Sequence, residues 1–65
     1  MKPFTVIFDW DSSQDGEAVL FHVTAPDARS AHEEAERLAD TRYGSDAEYL
    51  YSVMTLVGHA DRVRF

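Results

Sequence analysis

Pro26-Asp-Ala-Arg-Ser-Ala-His-Glu-Glu-Ala-Glu-Arg-Leu-Ala-Asp-Thr-Arg-Tyr-Gly44 is the one long stretch of this chain with helical periodicity, and the other elements must pack around it. Ala28, Ala31, Ala35, Leu38, Ala39 and Tyr43 recur at spacings of three and four, which places them on one face of a 3.6-residue period. Pro26 suits helix entry, and Asp27 offers a short carboxylate to the unpaired amides of the first turn, near Ser30. Gly44 after Tyr43 provides a left-handed stop. The spacing therefore predicts a helix over 27–43. Its apolar stripe is mostly alanine, so the backbone can approach its partner closely while burying little side-chain area. The other face carries Arg29, Glu33, Glu36, Arg37 and Asp40, with Glu33 and Arg37 placed for an i,i+4 ion pair.

On the N-terminal side, residues 2–10 are rich in aromatic and β-branched side chains and predict a first strand. Alternation puts Phe4, Val6, Phe8 and Trp10 on the core face and Thr5, Ile7 and Asp9 on the other. Asp-Ser-Ser-Gln-Asp-Gly at 11–16 has turn composition, and residues 17–25 predict a second strand with Val19, Phe21 and Val23 on one side. After a short linker at Ser45-Asp46, residues 47–57 predict a long third strand ending at Gly58-His59. Residues 61–65 alternate charged and apolar, which suits a short fourth strand or a docked tail. The order strand, strand, helix, strand implies an α+β, two-layer ββαβ domain spanning 1–65. In it a three-stranded antiparallel sheet of order 2-1-3 carries one helix on one face.

Composition narrows the function classes. A chain of 65 residues buries only about 60% of its unfolded surface, which favours oligomerisation. It has no cysteine, so neither a disulfide framework nor a thiolate metal site supports it, and a cytoplasmic setting is expected. No run is long enough to span a bilayer, and the N-terminal residues lack a signal-peptide pattern. Twelve acidic against six basic residues give a net charge of −6, which disfavours phosphate-backbone binding and favours a basic partner.

One helix covers one face of a sheet, yet both faces of the third strand are apolar. With the aliphatic set Leu50, Ser52, Met54 and Leu56 under the helix, Tyr49, Tyr51, Val53 and Val57 join Ile7 and Leu20 on the open side. These six are the expected interface, with a second copy of the chain as the expected partner.

Other constellations carry less. Asp11, Ser13 and Asp15 alternate before Gly16 as oxygen ligands do in a calcium loop, but the twelfth position is His22 and a strand precedes the loop. Turn chemistry accounts for the same residues, and no metal or other cofactor is expected. His22, His32 and His59 fall on strand, helix and loop with no spacing that brings them together. His59 and Asp61 among the serines lack a nucleophile elbow or oxyanion loop, so the chain does not read as an enzyme. Arg62 and Arg64 with nearby aromatics suit unpaired bases locally, against the overall acidity.

Phe4-Thr5-Val6-Ile7, His22-Val23-Thr24-Ala25, and Asp27-Ala28 leading to Ala31 and Ala35 together resemble small, mostly uncharacterised strand-strand-helix-strand proteins of high-GC actinobacteria and their phages. The resemblance covers roughly the first forty residues and implies an accessory role, with no activity or catalytic residue attached. The expected function is a small acidic, non-enzymatic protein-interaction module that homodimerises through its open sheet face or edge. The alternatives are an acidic inhibitor or nucleic-acid mimic that binds a basic host protein, and a weak single-stranded nucleic-acid binder.

Overall fold

The computed structural model describes residues 1–12, 14 and 16–59. Strand β1 (Lys2–Trp10) is followed by β2 (Val19–Ala25), helix α1 (Ala28–Tyr43), a 3-10 turn (Gly44–Tyr49) and β3 (Leu50–Val57). The sheet order is β2-β1-β3 with both pairings antiparallel, which is the α+β topology the element order predicts. The hairpin lays β2 beside β1, and the helix then returns the chain to the other side of β1. The suggested fourth strand, residues 61–65, lies outside the described residues.

The helix ends follow the local chemistry. Asp27 sits in extended geometry and its Oδ1 accepts the Ser30 N–H at 2.8 Å, satisfying one orphan donor of the first turn. Gly44 takes φ 59° and sends its N–H to the Asp40 carbonyl. Its ψ of −128° lies outside the left-handed helical well, in a region that costs glycine least. The chain then continues as a 3-10 turn instead of entering a strand. Residues 47–49, expected in the third strand, belong to that turn, and β3 starts at Leu50. β2 likewise starts at Val19, two residues later than its composition suggests.

Phe4, Val6, Phe8, Phe21, Val23 and Ala25 pack under Ala31, Ala35 and Ala39, all of them buried. Phe8 and Phe21 meet edge to face at 5.6 Å. The alanine stripe seats α1 mainly over β2 and β1, and β3 receives the least of it. A helix about 10–12 Å across spans roughly two strands spaced about 4.8 Å apart, so a three-stranded sheet is one strand too wide for it. At the far end of β1, Trp10 meets Tyr43 edge to face at 5.4 Å, and its Nε1–H donates to the Glu17 carbonyl at 3.0 Å. The ring lies against Gly16, where a Cβ would sit 2.6 Å from Trp10 Cδ1 and Nε1. The glycine is therefore needed for close approach.

Candidate interaction surface

β3 is the strand the helix leaves out. It is an edge strand, paired only with β1 among the described residues, and most of its side chains are exposed on both faces. Its eight residues, Leu-Tyr-Ser-Val-Met-Thr-Leu-Val, contain no charge. β2 contains none either, so the sheet's charged residues are Lys2 and Asp9 and the net −6 resides elsewhere.

The register of β3 corrects the expected faces. Phe4 pairs with Val57, Thr5 with Leu56, Val6 with Thr55 and Ile7 with Met54, but Phe8 then pairs with Ser52. Val53 is the extra residue of a β-bulge. Directly paired residues share a face. Met54 and Leu56, expected under the helix, therefore lie with Tyr51, Ile7 and Leu20 on the helix-free face, while Leu50, Ser52, Thr55 and Val57 lie on the helix side. The bulge absorbs Val53, so beyond it the faces are opposite to those read from regular alternation.

The six expected interface residues consequently separate. Tyr51 is on the helix-free face and 53% exposed, and Leu20 is there but half-buried. Ile7 is on that face yet only 1% exposed, because Leu20 and Met54 flank it on the central strand. Tyr49 belongs to the 3-10 turn, Val53 to the bulge, and Val57 to the helix side, where it is 81% exposed. Met54 and Leu56 are the residues that simple alternation misses. Together Tyr51, Val53, Met54, Leu56 and Val57 present on the order of 450 Å² of exposed surface, divided between the two faces of the strand.

One end of the helix-free face is covered. Gly58, at φ 95°, turns the chain up from β3 and its carbonyl accepts the Thr5 hydroxyl at 2.7 Å. His59 then reaches across β1 to β2, stacking on His22 at 4.7 Å with its Nε2 3.3 Å from the Val23 carbonyl. Two histidines that sequence spacing keeps apart thus meet. Their rings are within 12° of parallel, so the in-plane lone pairs run side by side and do not converge on one centre. His32 is separate, stacked on Phe8 at 6.4 Å, with Nε2 3.1 Å from Glu36 Oε1 but not aligned as a hydrogen bond. Among the described residues no group of three or more His, Cys, Asp or Glu is placed to hold a metal ion. Ser13 and Asp15 of the calcium-like loop lie outside the described residues. Asp11 sends its N–H to the Tyr49 carbonyl and accepts the Gln14 N–H at 2.9 Å on its own carbonyl.

Negative charge gathers at the far end of the sheet from Gly58. A hydrogen bond and charge from Glu48, with added field from Asp46 and Asp11, raise the Tyr49 hydroxyl above its ordinary pKa. On α1 two of the four acids are matched by arginine. Arg29 pairs with Glu33, and Arg37 pairs with Glu34 in place of the expected Glu33. Two shallow grooves flank the helix, one of about 520 Å³ beside β2 and one of about 360 Å³ between Glu36, Asp40 and the start of β3. No described helix is long and apolar enough to cross a membrane. No protein-family model matches the chain, and comparison with curated proteins and with solved structures likewise returns no match.

Proposed function

We propose that this chain is a non-enzymatic protein-interaction module that associates with a second copy of itself through β3 and the adjoining helix-free face. The observation that carries the proposal is β3 itself, an uncharged edge strand with exposed apolar side chains on both faces. Such edges template pairing, and monomeric proteins usually blunt them with charge, proline or a covering element. A second copy supplies a neutral apolar surface of the same chemistry, and it also answers the small core of a 65-residue chain. The role needs no cofactor, and the cysteine-free composition suits a reducing cytoplasm.

Sedimentation velocity on the wild-type chain up to millimolar concentration tests this, with a dimer expected. Met54→Glu and Leu56→Glu should each return a monomer whose unfolding temperature equals that of the wild-type chain diluted until it dissociates, because both side chains are about two-fifths exposed in the single chain. A wild-type monomer throughout that range overturns the proposal, as do glutamate variants that leave the size unaltered.

A second reading, an acidic inhibitor of a basic protein, is favoured by the Asp11, Asp46 and Glu48 grouping around Tyr49. The paired acids on α1 argue against that helix as an extended phosphate mimic. Neutralising the three acids together would abolish capture of a basic partner while leaving self-association intact.

A further inference from the structure

We propose that two copies join β3 to β3 antiparallel across a two-fold axis at Leu56, making one continuous six-stranded sheet. This rests on the self-association proposed above and specifies its geometry. The backbone fixes which groups are available. Gly58 sends its N–H to the Pro3 carbonyl and Asp11 sends its own to the Tyr49 carbonyl, so the odd residues of β1 form the hydrogen-bonded pairs with β3. Met54, Leu56 and Gly58 therefore point their main-chain groups inward. Thr55 and Val57 point theirs at the edge that is unpaired among the described residues.

Three features choose the edge and the register. First, the exposed apolar side chains of β3 are divided between the two faces of the sheet, with Tyr51, Met54 and Leu56 on one and Val57 on the other, so no single face presents them all and the edge is the surface they share. Edge pairing also covers side chains on both faces of β3, including Val57, which packing on the helix-free face leaves bare. Second, the bulge at Val53 breaks the outward row of donors and acceptors between Ser52 and Thr55. The regular stretch is Met54 to Gly58, and a two-fold axis at Leu56 pairs that stretch with its own copy. Thr55 then exchanges hydrogen bonds with Val57 of the second copy, and Leu56 faces Leu56 in a close, non-hydrogen-bonded position. Third, charge agrees. The acidic end of the sheet, at Asp9, Asp11, Asp46 and Glu48, is at the Leu50 end of β3. Antiparallel pairing centred near the other end points the two acidic ends away from each other, whereas a basic partner is drawn to that acidic end and away from Leu56.

The absence of native cysteine makes the test direct. Residues facing across a non-hydrogen-bonded antiparallel pair have Cα atoms about 4.5 Å apart, within disulfide reach. Leu56→Cys, oxidised in air with copper–phenanthroline, should run mostly as a covalent dimer, and Leu20→Cys on the helix-free face should stay mostly uncrosslinked. Thr55→Pro provides a second arm. It deletes an outward N–H, so circular dichroism should be retained while the dimer dissociation constant weakens at least tenfold. A wild-type dimer whose Leu20→Cys variant crosslinks in place of Leu56→Cys, or whose Thr55→Pro variant still dimerises normally, overturns edge pairing and leaves self-association standing. A wild-type monomer removes both.

Discussion

Replacing Ala35 by leucine tests the seat of the helix. Ala31 and Ala35 are fully buried and Ala39 nearly so, with the Phe4, Phe8 and Phe21 rings in the same cluster. Leucine adds three heavy atoms at the centre of the stripe and changes intrinsic helix propensity by only a few tenths of a kcal/mol. The ring cluster is close-packed, so the helix must lift or a side chain must leave its rotamer, at about 1–3 kcal/mol. A domain of this length has about 3–10 kcal/mol in total, and each kcal/mol moves its midpoint by about 4–8 °C. Ala35→Leu should therefore lower the unfolding temperature by about 5–20 °C. Far-UV circular dichroism measures it, at a protein concentration low enough that association does not contribute. Ala28→Leu is the control on the exposed first turn of the same helix and should change stability by less than about 0.5 kcal/mol. Equal behaviour of the two variants would mean that the helix is not held through its alanines, and the packing argument would be wrong.

Gly16→Ala should displace the Trp10 ring, breaking its hydrogen bond to the Glu17 carbonyl and its contact with Tyr43, for a loss of about 1–3 kcal/mol. Trp10 is the single tryptophan of the chain, so its fluorescence reports the change directly, and an unaltered spectrum with an unaltered midpoint contradicts it. The Asp27 carboxyl is held below its ordinary value of 3.8, chiefly by the Ser30 backbone N–H. A depressed carboxyl contributes stability above its unfolded value and loses it as pH falls through the folded value. Wild type should therefore lose stability faster than Asp27→Asn, which keeps a neutral cap, on acidification from about pH 5 to pH 3. Parallel acid curves for the two would remove the charged cap from the account.

The fold was legible because its determinants are local or periodic. The Asp27 cap, the Gly44 stop and the three-and-four spacing of alanines place α1 almost to the residue, and the element order leaves few topologies. The site was legible only in outline. An uncovered apolar strand follows from one helix and three strands, but which side chains it presents depends on a bulge, and regular alternation contains no bulge. A trace of it is visible afterwards. Ser52 and Thr55, the polar residues of β3, are three apart and share no face of a regular strand, yet the extra residue puts both on the helix side. The meeting of His22 with His59 was hidden for a different reason, since it depends on a reversal at Gly58 that carries the chain over the central strand.

Val53 also bears on how far association runs. Without it the faces of β3 would be unchanged, since Ser52 and Met54 already look in opposite directions, but the free edge would become a straight, uncharged ladder along its whole length. Such a ladder accepts incoming strands in many registers, and that tolerance is how soluble chains grow into fibres. One supernumerary valine shortens the regular ladder to a few residues near Leu56, which restricts the registers an incoming strand could take.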